Sequence, residues 1–111
     1  MKISRDAVIP REKLTRYLLV WRPLGDKSKF LGQAGFNTEN PGALRRALRV
    51  LAAREDAVSD GRNDYGEFVR VEGDLTGPNG ESLSVVTIWL RWLKDGSDHF
   101  VTLKPRREQH P

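Results

Sequence analysis

The 111-residue chain contains no cysteine, which excludes disulfides, thiol redox chemistry and thiolate metal sites. Its two histidines, His99 and His110, are too few for a histidine-built zinc site, and no compact carboxylate cluster suggests bound magnesium. We therefore expect no metal and no cofactor. No apolar run approaches the roughly 20 residues of a membrane span, and none follows the charged N-terminus as in a secretory signal. These absences predict a cytoplasmic protein without a membrane partner.

The charge of the chain is modest but unevenly distributed. The net charge is +4 at pH 7. Residues 1–30 contain eight Lys and Arg against three Asp and Glu, whereas residues 31–80 contain six against eight. Positive charge gathered at one end favours an anionic partner such as RNA. Ordinary solubilising charge explains the same composition equally well, so the charge alone does not identify a partner.

Two helices are predicted in the first 35 residues. Pro10 suits a first helical turn, and Pro23 ends the helix because proline disfavours the α conformation in the residue before it. The apolar residues between them recur at helical spacing: Leu14, Tyr17, Leu18 and Trp21. A second, short helix is expected over 27–34, with Gly35 as its left-handed cap.

The clearest helical pattern follows Asn40, a suitable N-cap, with Pro41 in the first turn. One apolar stripe predicts the buried face: Leu44, Ala47, Leu48, Leu51 and Ala52. The arginines of this segment lie largely off the stripe, on an expected solvated face: Arg45, Arg46, Arg49 and Arg54. Gly61 indicates a loop after the helix.

From Tyr65 onward the apolar period changes from helical spacing to two. Strands are predicted over 67–75, 82–93 and 99–104, with turns at 77–80 and 94–97. Helices followed by strands predict an α+β fold, with two or three N-terminal helices on one face of a three- to four-stranded antiparallel meander. We expect a single domain over 1–105 and a flexible basic tail over 106–111.

The alternation of the long strand divides its side chains between two faces. The wholly apolar face is expected to pack on the helices: Val86, Ile88, Leu90 and Trp92. The other face is expected to be open: Leu83, Val85, Thr87, Trp89 and Arg91. Four-residue turns would pair Thr102 with Trp89, and both Lys104 and Arg70 with Thr87. A one-residue shift in the first hairpin would reverse that pairing.

This open patch suits RNA phosphate chemistry. Arginine binds phosphate through a bidentate fork and lysine through a point charge, so Arg70 and Lys104 beside Thr87 would stabilise the charge that develops during cleavage. Trp89 would stack on a base, and His99 is a candidate acid or base. The alternation, however, places His99 on the core side, where a histidine is more often structural. Open sheet faces also carry such residues without any function.

Several strings occur together in one order: 13-KLT-15 followed by 17-YLL-19, 26-DKSKF-30, 35-GF-36, 65-YG-66, 77-GPNG-80, 87-TIW-89 and 101-VTLKP-105. Over residues 8–105 they resemble a bacterial family, domain of unknown function 6883. Members of this family resemble toxin-associated domains that stand alone or end larger secreted proteins. The resemblance therefore implies a toxin-type role for this chain.

The order of helices and strands is more distantly similar to that of the barnase/EndoU/RelE-like ribonucleases. That resemblance implies that Thr102, on the closing strand, lies in an active site. It also implies that Lys13, Lys27 and Lys29 are helix-borne cations facing the open edge of the sheet. The paired histidines of many such enzymes are missing here, so the catalytic base is not identified.

The sequence thus supports a metal-independent ribonuclease toxin with a cognate antitoxin. Its expected catalytic residues are Thr102, Lys104, Arg70, Thr87 and His99, and its expected substrate-binding residues are Lys13, Lys27, Lys29, Trp89 and Arg91. The alternative is a non-enzymatic interaction module, such as an antitoxin, an adaptor or a homodimer, with Trp89 as the hydrophobic anchor of the open face. A third possibility is nucleic-acid binding without cleavage.

Overall fold

The computed structural model describes residues 1–19 and 27–106. Its longest helix, α3 (Pro41–Arg54), forms where the apolar stripe predicts it, with Pro41 in the first turn. The stripe buries four side chains: Leu44, Leu48, Leu51 and Ala52. Asn40 precedes the helix but makes no side-chain capping bond. Its carboxamide instead accepts from the Asn37 N–H and donates to the Gly35 carbonyl, which ties down the preceding loop.

The N-terminal helical region is less regular than its apolar period suggests. Helix α1 (Arg11–Lys13) follows Pro10 and continues into a π-helical turn over Leu14–Leu18, which buries Leu14 and Leu18. Tyr17 is exposed. Helix α2 covers Ser28–Gly32, and Gly35 beyond it has the expected positive φ of 91°. The predicted helix end at Pro23 lies outside the described residues.

Four antiparallel strands form a meander in chain order: β1 (Ala57–Arg62), β2 (Gly66–Thr76), β3 (Ser82–Trp92) and β4 (Asp98–Pro105). The three helices pack with this sheet, so the predicted α+β class is confirmed. Strand β1 replaces the loop expected around Gly61. Its Ser-Asp-Gly-Arg sequence has low strand propensity, and pairing with β2 overrides it.

The helices cover the sheet face that was expected to be open. The core contains Thr87 and Trp89, together with Val69, Val71, Leu75, Val85, Phe100 and Leu103. The predicted face assignment of β3 is therefore wrong. The error arises from the length of the first hairpin loop. The loop contains one residue more than predicted, because the Gly77 N–H donates to the Glu81 carbonyl and Thr76 pairs with Ser82. This one-residue difference pairs Val71 with Thr87 and Arg70 with Ile88.

The second hairpin also differs from its predicted register. The Trp92 N–H donates to the Ser97 carbonyl, and Arg91 pairs with Asp98. A β-bulge follows, because Trp89 pairs with Phe100 whereas Ile88 pairs with Thr102, leaving Val101 as the extra residue. The bulge lets both Phe100 and Leu103 reach the core, although they are three positions apart.

The loop after β2 packs tightly against the end of α2. A Cβ on Gly77 would overlap the Ala34 carbonyl oxygen, and the Asn79 carboxamide donates to the Gln33 carbonyl at 3.0 Å. We expect Gly77→Ala to destabilise the protein by about 1–3 kcal/mol, since backbone must move to admit the methyl group. Urea denaturation measures the change. Gly32→Ala is the control, because no atom lies within 4 Å of its added Cβ; equal losses in both variants would contradict the packing argument.

Within the two described ranges, no helix is long and apolar enough to cross a membrane. Of the predicted basic tail, residues 107–111 lie outside those ranges. Arg106 is described, and its N–H donates to the Ser84 carbonyl at 2.9 Å beside the end of β4.

Candidate functional site

The side of the sheet that faces away from the core is called here the open face. Along β3 it carries Val86, Ile88, Leu90 and Trp92, which alternate with the core residues. Two rows cross the strands: Arg70, Ile88 and Thr102 form one, and Glu72, Val86 and Lys104 form the next. Three of the predicted site residues, Arg70, Thr102 and Lys104, therefore do share a face.

Two lysines from the helical region meet β4 at its bulge. Lys27 Nζ donates to Thr102 Oγ1 at 3.0 Å, and Lys13 Nζ donates to the Val101 carbonyl at 2.9 Å. We call Lys13, Lys27 and Thr102 the bulge cluster. A bulge turns the backbone locally, which re-aims consecutive residues of a strand. Here it presents a carbonyl and a hydroxyl to two ammonium groups, and all four groups are half-buried or lie at the surface.

Lys104 lies one row beyond the bulge cluster, about 7 Å along the strand. Its side chain is exposed and makes no hydrogen bond or ion pair with any described residue. Lys29, in α2, is likewise exposed and unpaired within the described ranges. The expected roles of both lysines stay predictions.

Arg70 and Arg91 are both engaged with carboxylates of the protein. Arg70 lies 3.0 Å from Asp60 and 3.9 Å from Glu72 on the exposed side of β2. Arg91 does not reach the open face. It forms a two-pronged ion pair with Asp98 on the core side, at 2.7 and 3.2 Å, and Asp98 also accepts from the Ser4 N–H.

The Arg91–Asp98 pair fixes the N-terminal segment on the core side of the sheet. Hydrogen bonding to Asp98 raises the pKa of the Arg91 guanidinium above its ordinary value. The Arg91 guanidinium also contacts the Lys2 carbonyl. These contacts give Arg91 a structural role, since they link β3 and β4 to the N-terminal segment. The predicted place of Arg91 on the open face is wrong.

Thr87 and Trp89 form an internal hydrogen-bonded pair. Thr87 Oγ1 donates to the Val71 carbonyl at 2.8 Å and accepts from Trp89 Nε1 at 2.9 Å. The Trp89 ring meets Phe100 edge to face, with centroids 5.3 Å apart. Neither side chain is accessible to RNA, so their predicted places in an open site are wrong. An aromatic core residue keeps its polar atom satisfied in this way.

His99 lies on the open face, and its expected core-side position is also wrong. It pairs with Leu90 one row from Thr102, and its ring stacks on Trp92 with centroids 3.8 Å apart and planes 10° from parallel. Its Nε2 lies 2.8 Å from Ser97 Oγ. Trp92 is 37% exposed and is the aromatic side chain of β3 that a ligand on this face would meet.

The open face thus combines a cationic end with an aromatic end. The bulge cluster and Lys104 offer ammonium groups and a hydroxyl to an anion, and the Trp92–His99 stack lies about 7 Å away, one row along the sheet. No group of three His, Asp or Glu side chains within residues 1–19 and 27–106 is placed to hold a metal ion.

Sequence reasoning missed Trp92 and Ser97. The alternation of Trp92 with Val86, Ile88 and Leu90 predicts a core position for it, whereas it lies on the open face. The signal that favours the correct face is in β2, where Val69, Val71 and Leu75 alternate with Phe68, Arg70 and Glu72. These β2 residues lie beside Thr87 and Trp89 of β3 only if the loop between the two strands contains five residues, 77–81.

The fold is that of a small α+β protein, and lysines and a partly exposed tryptophan lie on its open sheet face. The chain belongs to the family described as Domain of unknown function (DUF6883), whose model matches residues 2–107. A similar fold occurs in a contact-dependent growth inhibition toxin–immunity protein complex from Klebsiella pneumoniae 342. That chain aligns with a TM-score of 0.69 at 19% identity, covering 90% of this chain and 100% of the other. No curated protein matches the sequence.

Proposed function

We propose that the protein is a metal-independent ribonuclease of toxin type that acts on cytoplasmic RNA. The observation that carries the proposal is the 3.0 Å contact between Lys27 Nζ and Thr102 Oγ1, which joins residues 75 positions apart on the open face. A hydroxyl held by an ammonium group is suited to bind a phosphate oxygen and to stabilise the negative charge that grows during cleavage.

Three features support RNA as the substrate. The net charge is +4, and the bulge cluster and Lys104 concentrate cations along β4. Phosphodiester binding depends mainly on such charges. Trp92 offers an exposed indole on the same face, and stacking on an aromatic ring is the usual way that proteins hold an unpaired base. Trp92 thus takes the base-stacking role expected of Trp89.

The resemblance to a chain of a toxin–immunity protein complex agrees with a role in bacterial conflict. We propose by analogy that the protein has a cognate protein partner, and that this partner blocks the open face. A partner for a surface lined by Lys13, Lys27 and Lys104 would present acidic side chains.

The test is cleavage of total bacterial RNA in the presence of EDTA by the parent, Lys27→Ala and Thr102→Ala. We expect the parent to cleave, and each substitution to reduce the initial rate about 100-fold, because each removes a group that stabilises the transition state. Arg46→Ala is the matched control. It removes one positive charge from the exposed face of α3, on the other layer of the protein, and its rate should equal that of the parent.

Circular dichroism must first show that all the variants are folded. If the parent cleaves and Lys27→Ala and Thr102→Ala cleave equally well, the proposed site is wrong. If RNA stays intact with the parent at every protein concentration, the ribonuclease proposal itself fails.

A second candidate function is a non-enzymatic interaction module that uses the same face. Apolar side chains support it: Val58 is 52% exposed beside Arg70, and Trp92 is exposed two rows away. Trp89 cannot anchor a homodimer from its place in the core. Light scattering that shows a dimer in the parent and monomers in Val58→Asp would favour this candidate in its homodimer form.

A further inference from the structure

Hydrogen bonds link two side chains of the turn between β3 and β4, Asp95 and Ser97, to the imidazole of His99 in β4. Ser97 Oγ donates to Asp95 Oδ1 at 2.6 Å, and the same Oγ lies 2.8 Å from His99 Nε2. The Ser97 N–H also donates to Asp95 Oδ1, at 2.9 Å. These bonds fix both the hydroxyl and the carboxylate within a three-residue stretch of the chain, Asp95 to Ser97.

The Ser97 hydroxyl has a single proton, so it can donate only one of its two hydrogen bonds and must accept the other. Hydrogen bonds from Ser97 hold the pKa of Asp95 below its ordinary value, so the carboxylate is ionised near neutral pH and can only accept. The hydroxyl proton is therefore used on Asp95. Ser97 Oγ can then only accept from His99 Nε2, which must carry a hydrogen.

We infer that the neutral ring of His99 carries its proton on Nε2 and presents Nδ1 as a proton acceptor on the open face. The Trp92 stack holds the plane of the ring, and no described residue hydrogen-bonds Nδ1. The catalytic meaning of this tautomer rests on the proposed function: Nδ1 is the base that activates RNA. Ser97 and Asp95 are positioning residues, since they act through His99.

The step that this tautomer supports is a transesterification. Nδ1 takes the proton of the 2′-hydroxyl, and the 2′-oxygen forms a bond to the adjacent phosphorus. The bond from phosphorus to the 5′-oxygen breaks, and that oxygen takes a proton from the Lys27 ammonium. A 2′,3′-cyclic phosphate and a 5′-hydroxyl result. The rows of His99 and Thr102 are about 7 Å apart, which leaves room for one phosphodiester between base and acid.

The tautomer can be measured without any activity. Long-range ¹⁵N–¹H correlation spectra of the histidine ring distinguish Nε2–H from Nδ1–H at a pH where the ring is neutral. His110→Gln leaves His99 as the only histidine. We expect Nε2–H in this protein, a mixture of both tautomers when Ser97→Ala is added, and Nε2–H again with Ser97→Thr, which keeps the hydroxyl. A principal Nδ1–H form would overturn the inference whether or not RNA is cleaved.

The cleavage rate then tests the positioning role. We expect Ser97→Ala to lower the rate about 10- to 100-fold and Ser97→Thr to restore it. Ser59→Ala is the control, because Ser59 also donates to a carboxylate, that of Glu67, but contacts no histidine. An unchanged rate in Ser97→Ala would remove the positioning role. An Nε2–H tautomer in a protein that cleaves no RNA would leave the tautomer assignment standing and remove the proposed function.

Discussion

Replacement of Trp89 by alanine is expected to destabilise the protein by about 3–5 kcal/mol, the usual cost of removing a large aromatic side chain from a core. Trp89 is 1% exposed and packs edge to face on Phe100. The substitution also removes the hydrogen bond that the Trp89 indole N–H donates to Thr87 Oγ1. Since a domain of this size is typically stable by only about 5–15 kcal/mol, the variant should be close to unfolding at 37 °C.

Trp92→Ala is the matched control, three positions along the same strand and on the opposite face. Trp92 is partly exposed, so its removal should cost less than half as much. Urea denaturation followed by circular dichroism compares the two variants with the parent. A smaller loss in Trp89→Ala than in Trp92→Ala would mean that the helices cover the other face of the sheet.

Substitution of Arg91 by methionine is expected to destabilise the protein by about 3–5 kcal/mol, because it leaves a buried carboxylate without its counter-charge. Asp98 is 1% exposed, whereas Arg91 is 27% exposed. The remaining Ser4 N–H is a weak substitute for the guanidinium.

Two further variants isolate this effect. Arg70→Met removes an ion pair whose carboxylates are exposed, and it should cost less than about 1 kcal/mol. The double variant Arg91→Met, Asp98→Asn removes the buried charge as well, and it should recover part of the lost stability. Unfolding midpoints that are equal for Arg91→Met and Arg70→Met would show that the Asp98 pair does not hold the fold together.

The parts of the fold that depend on local sequence were predictable. The stripe of α3 identifies its buried face, and Gly35 has the left-handed conformation that its position after α2 indicates. The meander follows from short turns between strands of alternating pattern. These features are set within a few residues of the chain, so periodicity and turn chemistry describe them well.

The candidate site was predictable only in part, because its geometry depends on register. Strand β3 is apolar on both faces, so its alternation could not identify the face that meets the helices. That choice depends on one residue of loop length at Glu81. The bulge at Val101 in turn decides which residues of β4 lie on each face. Thr102 and Lys27, suggested by resemblance, do meet. Thr87, Trp89 and Arg91 do not join them, because each lies on the core side.

The bulge in β4 changes which residues of this strand face the core, from even-numbered positions before it to odd-numbered positions after it. Even-numbered Asp98 and Phe100 turn towards the core before Val101, whereas odd-numbered Leu103 does so after it. A strand without Val101 would keep the same partners on β3 and the same inward side chains. Val101 itself is not part of the core. The Val101 carbonyl instead accepts from Lys13 Nζ, and Lys27 Nζ donates to the next residue, Thr102, so the extra residue lies where two lysines converge.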